Sequence, residues 1–299
     1  MATREHLARA LWTLFEPIHS VTYFSAQSRD ALAAIGLTRY WDGYFAGRSA
    51  PVGALSAPPV TAMFSGFAPF LVERALPAVW SVVTPAQVIE ARYSGAAETL
   101  RALVPDGAVV EAAAVALEPL VQGLDTVGRP LSAGFAALPL EDDPYRRVWQ
   151  LAGTLREHRG DGHVVALASL GIAGITTLLL RSGVDLDAAA MQKARGWTDD
   201  EWAAEASRLV DRGLLDHDRR ITRSGADVLD EAERLTNRLA LSAIDGLDDD
   251  GVREVARALA PVAAAVAPLF PYPNPIGMPR SWDPDADPEA SAVPETPAP

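Results

Sequence analysis

Residues 155–167 read LREHRGDGHVVAL, which sets two histidines, two arginines and an aspartate around two glycines. With Asp161 as an N-cap, the stretch predicts a helix that begins near Gly162 and carries His163 in its first turn. There the positive end of the peptide dipole lowers the pKa of an imidazole, so a neutral His163 is the candidate catalytic base. Arg156, His158 and Arg159 precede it on the end of another helix. An anion could be held between these cationic groups and free backbone N–H donors. The alternative leaves Asp161 as a plain structural cap and pairs the arginines with acids such as Glu157.

A second set lies in the amino-terminal half. His19 and Tyr23 are one helical turn apart, as are Tyr40, Tyr44 and Arg48. Each set gathers imidazole, hydroxyl or guanidinium groups on one face amid Trp41, Phe45, Phe64 and Phe67. Apolar walls with a few convergent polar groups describe a small-molecule pocket. Tyrosines of a core that merely reach out to water describe the same residues without a ligand. The five histidines are scattered without an HExxH pair, and no GxGxxG, P-loop or GxSxG segment occurs, so neither a metal nor a nucleotide cofactor is expected.

These side chains need a scaffold, and the pattern predicts one that is mostly α-helical. A first helix over about Thr3–Phe15 is expected to stop near Pro17, and a second to run from Ile18 to Gly36. A third spans TRYWDGYFAGR. Thr84-Pro85-Ala86-Gln87 has the features of a capping box and opens a helix to about Leu103. GRPLSAGFAALPLEDDP reads as a linker over 128–143, with Asp143 capping a helix that starts at Pro144. The expected layout is an aromatic-rich ligand domain over 1–127, the linker, and a second helical domain over 144–260. An extended strap over 261–281 and a disordered tail over 282–299 follow.

Composition bounds the rest. The chain has 299 residues, 49% of them hydrophobic, and a formal net charge of −13. Such a field repels polyanions unless a local basic patch offsets it. Cysteine is absent and the amino terminus lacks an apolar leader, so a cytoplasmic protein is expected. The most apolar run, Val164–Leu180, is broken by Gly171 and Gly174 and falls short of the ~20 residues of a membrane span.

Residues 184–239 run in a recognisable order. A short helix reaches Arg195, Gly196-Trp197 makes a turn, and Thr198 with Glu201 caps a helix that ends at Gly213. RLVDRGLL, the turn DHDRR and ITRSG then lead into a last helix near Ser224. This order resembles the winged-helix module of MarR-type regulators and implies a helix-turn-helix with a small two-stranded wing. The whole chain also resembles a group of actinobacterial proteins that share a GYFAGR-type segment, an RGDGH-type junction and a helix-turn-helix-like carboxy-terminal part. That second resemblance implies no activity.

In DNA-reading winged helices the second helix of the motif enters the major groove. Here it opens Asp199, Asp200, Glu201 and continues to Glu205, with Arg208 the only cation before its last turn. Four carboxylates facing phosphate oppose binding, although acidic first turns also suit the helix dipole. Arg208, with Arg219 and Arg220 at the wing tip, would carry any DNA contact. The expected function is therefore a small-molecule-binding protein, with cofactor-independent acid–base catalysis as its enzymatic form, whose winged helix is scaffold. The alternative is a MarR-like ligand-responsive regulator that binds DNA. The sequence leaves homodimer formation open.

Overall fold

Helical spacing in the sequence is matched by fourteen α-helices in the computed structural model, which describes residues 3–270 and 280–286. In chain order they are α1 (Arg4–Phe24), α2 (Ala26–Ala34), α3 (Tyr40–Ser49), α4 (Ala57–Met63) and α5 (Pro69–Glu73). There follow α6 (Pro85–Leu103), α7 (Gly107–Val121), α8 (Pro130–Ala136) and α9 (Pro144–Ser169). The last are α10 (Ile175–Ser182), α11 (Ala188–Arg195), α12 (Asp199–Asp211), α13 (Arg223–Leu239) and α14 (Asp249–Val266).

The start signals act as their chemistry requires. Thr84 and Gln87 close a capping box on α6, Thr198 and Glu201 close one on α12, and Asp143 accepts from the backbone N–H groups of Tyr145 and Arg146 at the head of α9. Pro17, by contrast, does not end α1. It removes one backbone donor at a cost of about 3 kcal/mol, but every residue from Thr13 to Tyr23 is buried, and that packing carries the helix through to Phe24. The break falls at Ser25, whose hydroxyl accepts from Ser28 N to start α2.

The RGDGH stretch is not a junction. It lies inside α9, a single helix of 26 residues. Two glycines of α9 allow close approach: a Cβ on Gly162 would stand 2.8 Å from Arg129 Nη1, and one on Gly153 would stand 2.6 Å from His19 Nδ1. Thus α9 runs through the centre of the molecule, packed against α1, α6, α7, α8 and α13.

One hydrophobic cluster takes Leu7, Leu11 and Ile18 from α1, Leu100 from α6, Leu117 from α7, Trp149 from α9 and Leu259 from α14. It therefore spans both of the expected domains. Segment 128–143 contains α8, with Leu131 and Phe135 buried. The expected strap begins too early, because α14 continues to Val266, and residues 271–279 lie outside the described residues. Nor does a disordered tail begin at 282: Trp282 is 2% exposed and its backbone N–H donates to Thr13 Oγ1 at 2.8 Å. Residues 287–299 lie outside the described residues.

The two-stranded wing is also corrected. Among the described residues there is no strand, only an antiparallel bridge between Leu215 and Ile221. Thr222 N donates to Leu214 O and the Thr222 side chain caps α13, so the chain enters that helix one residue after the bridge and has no length for a ladder. No helix among the described residues is long and apolar enough to cross a membrane.

Candidate functional site

Four helices converge on one buried cluster. From α1 come Glu16, His19 and Tyr23; from α3 come Tyr40, Tyr44 and Arg48; α6 supplies Arg92; and α9 supplies Arg156 and Glu157. Glu157 has no exposed side-chain surface. It accepts a two-point contact from Arg48, Nε to Oε1 at 3.1 Å and Nη2 to Oε2 at 2.7 Å, and a third bond from Arg156 Nη1 at 2.9 Å. Arg156 Nε also donates to Glu16 Oε1 at 3.2 Å. Burial alone would raise the Glu157 carboxyl, yet Arg48 and Arg156 hold it far below the usual carboxylate range. This set is a structural ion-pair network.

His19 and Arg92 form the neighbouring layer. Arg92 Nη1 donates to Gly47 O at 2.8 Å, and Nη2 lies 3.3 Å from His19 Nε2. A guanidinium only donates, so His19 Nε2 accepts and its ring hydrogen sits on Nδ1, against Gly153. Burial, then Arg92 and Arg156, keep His19 well below the ordinary histidine pKa. The Arg92 guanidinium lies 4.9 Å from the centre of the Trp149 ring and 5.6 Å from that of Phe135.

In front of this layer opens a cavity of about 110 Å³. Its floor is Thr22, Tyr23, Leu37 and Arg92, all buried, and its rim is Arg29, Thr38, Arg39 and Tyr40, all exposed. Tyr44 stands between the two, and no carboxylate lines the space. Arg48 Nη1 donates to the Tyr44 hydroxyl at 3.1 Å. Although burial opposes it, Arg48, Arg195 and Arg156 together lower the Tyr44 pKa. Burial raises that of Tyr23.

The sequence-derived residues thus divide. His19, Tyr23, Tyr40, Tyr44, Arg48 and Arg156 meet around this cavity, with Tyr23, Tyr40 and Tyr44 lining it. His158 points elsewhere on α9, its Nε2 3.3 Å from Ser242 Oγ; burial, then Arg129, holds it at about 4. Arg159 donates to Glu233 at 2.8 Å and covers the Trp12 ring.

His163 lines no described cavity; its Nδ1 is 2.9 Å from Thr236 Oγ1 on α13. Its pKa falls to about 4, through burial and not through a helix terminus, because α9 starts nineteen residues earlier at Pro144. Asp161 likewise caps nothing in α9. Its Oδ2 accepts from Leu131 N at 2.9 Å and Ser132 N at 3.0 Å, the first turn of α8, and burial pushes it up to about 7 against those donors.

Sequence reasoning missed Arg92, Glu16 and Arg195, and met Glu157 only as a generic ion-pair partner. A signal existed for Arg92: it sits four residues from both Val88 and Ala96, in phase with the buried stripe of α6. A charge on an apolar stripe marks a buried polar site.

Behind the cavity, the turn between α11 and α12 docks on the amino-terminal half. Trp197 Nε1 donates to Gly66 O at 3.0 Å, Ala68 N donates to Arg195 O at 2.9 Å, and Arg195 lies over the Phe67 ring. The outer face of α12 exposes Asp199, Asp200, Glu201 and Asp211 beside Arg208 and Arg212. Arg208 is paired with Glu205, and Arg220 lies 3.4 Å from Asp218 in the exposed Asp216–Arg220 turn that also holds Arg219.

Comparison with known families gives one result: a model described as a helix-turn-helix family matches residues 8–270. No curated protein and no solved structure matches the chain.

Proposed function

The chain belongs to this helix-turn-helix family, and from that premise we propose that it is a small-molecule-binding protein whose helix-turn-helix segment serves as a packing scaffold for the ligand cavity. The observation that carries the reading is the cavity itself: a buried floor, an exposed rim, three tyrosines and three arginines, and no acid among its lining residues. A space of this size is comparable with the ~150 Å³ that accommodates benzene in an apolar cavity. Where the site does chemistry, Tyr44 takes the proton-exchanging role in place of His163, because it faces the occupant and stands among three guanidinium groups that favour its ionised form.

A thermal-shift screen of the full chain with benzene-sized alcohols, amides, amines and carboxylates tests this. At least one class should raise Tm in a concentration-dependent way, and Thr38→Trp, which plugs the rim without touching the core, should abolish the rise. Uniform silence across all four classes would sink the proposal.

The second reading is a ligand-responsive regulator that binds DNA, favoured by the family match. The acidic outer face of α12 weighs against it.

A further inference from the structure

Arg92 is 3% exposed, yet no carboxylate lies within ion-pair distance of it among the described residues. Its hydrogen-bond partners are a backbone carbonyl and a neutral imidazole, which use two of the five N–H donors a guanidinium carries. The charges around it do not balance: Arg48, Arg92 and Arg156 stand against Glu16 and Glu157, and both carboxylates are already held by Arg48 and Arg156. A buried cation without an anion is costly unless something supplies the missing charge. Arg92 is also the only one of these three arginines that lines the cavity.

We infer that the occupant is a small organic anion whose carboxylate pairs with Arg92 on the cavity floor while its flat apolar body lies against Tyr40 and Tyr44. The Tyr44 hydroxyl accepts from Arg48 and lines the cavity, so its own hydrogen is left for the occupant. Leu32 and Leu37 complete an apolar wall that suits a hydrocarbon or aromatic body better than a bare inorganic ion. The inference rests on the cavity being a ligand site, as proposed above.

Titration of the full chain with benzoate, benzamide, benzylamine and inorganic phosphate, followed by calorimetry, tests it. Benzoate should bind about tenfold or more tightly than benzamide, the effect of one added charge-assisted bond in a buried site, and benzylamine should bind least. Arg92→Lys should keep a reduced preference for benzoate, and Arg92→Met should erase the preference. Equal binding of benzoate and benzamide by the unaltered chain would overturn the inference and leave the cavity a ligand site. Binding of phosphate without benzoate would overturn the carboxylate assignment, and binding of none would remove both readings. Should Arg92→Met fail to fold, the benzoate-to-benzamide ratio of the unaltered chain and of Arg92→Lys still decides.

Discussion

Arg48 and Arg92 are two buried guanidiniums about which the structure makes opposite demands. Arg48 neutralises Glu157, so Arg48→Met leaves a buried carboxylate with half its support and should lower stability by about 3–5 kcal/mol. Arg92 neutralises no carboxylate, so Arg92→Met should cost less than half as much in urea unfolding. Equal losses would mean that Arg92 is as much a part of the ion-pair network as Arg48. The histidines set the pH response. His158 and His163 sit at about 4 and His19 is lowered in the same direction. The unfolded chain, with imidazoles near 6.5, therefore takes up more protons than the folded one as pH falls below about 6.5. Their contribution is complete above that point and is lost as pH falls through about 4. Asp161, pushed up to about 7, works the other way and favours the folded state at the acid end. Three imidazoles outweigh one carboxyl, so the urea midpoint should rise from about pH 4.5 to about 6.5. His163→Gln should flatten that rise and leave any ligand-induced Tm shift intact. A lost ligand response would return His163 to the site. The i,i+4 spacings of His19–Tyr23 and Tyr40–Tyr44–Arg48 were legible because both partners share one helix. Arg92 and Glu157 reach the cluster from separate helices, and no spacing along the chain records that.

At the scale of elements, α9 shows why glycine misleads. Two glycines flanking an aspartate have the composition of a turn, where glycine serves for the left-handed backbone it tolerates. Neither has positive φ; both are helical. Gly162 is small so that Arg129 can pass and donate to the carbonyls of His158 and Leu239 at 2.6 and 2.7 Å, while Gly160 has nothing closer than 3.8 Å to an added Cβ. The two substitutions should therefore separate. Gly160→Ala should stabilise by about 0.5–1 kcal/mol through helix propensity, and Gly162→Ala should destabilise by about 1–3 kcal/mol through overpacking. Loss of stability in both, measured by thermal unfolding, would restore the turn. Capping signals were read correctly at Thr84, Asp143 and Thr198 because a cap is a local bond between near neighbours. Pro17 was misread for the converse reason: whether proline ends a helix depends on what the flanking residues bury, which is decided by α6, α9 and α14.

For the whole molecule, the question is what the α11–α12 pair, whose order resembles a helix-turn-helix, does when its turn is already in use. Trp197 and Arg195 are spent on Gly66 and Phe67, and one hydrophobic cluster joins α1, α6, α7, α8, α9 and α14, while α10 and α12 pack in a cluster of their own. The halves should not separate under limited proteolysis, since α8 fills the stretch between them; rapid cutting within 128–143 to two independent fragments would contradict this. The free surface of the segment is the outer face of α12, where Asp199, Asp200, Glu201 and Asp211 meet solvent in a chain of net charge −13. Phosphate contacts supply most non-specific affinity and position the specific ones, and here Arg212, Arg219 and Arg220 are among the exposed cations that would make them. Arg219 holds a positive φ of 62° at the tip of a turn pinned by Asp216, so it projects from a rigid point that could meet a groove, but without a second strand to follow it in. At physiological salt the full chain should accordingly show no sequence-dependent mobility shift on genomic fragments, with or without benzoate. A salt-sensitive shift at nanomolar protein that Arg219→Ala or Arg220→Ala weakens would establish the regulator instead. The docked turn would then be the part that changes, because Tyr44 lines the cavity and packs on Phe67, over which Arg195 at the end of α11 lies, so any occupant that draws Tyr44 inward loosens the contact that seats α12.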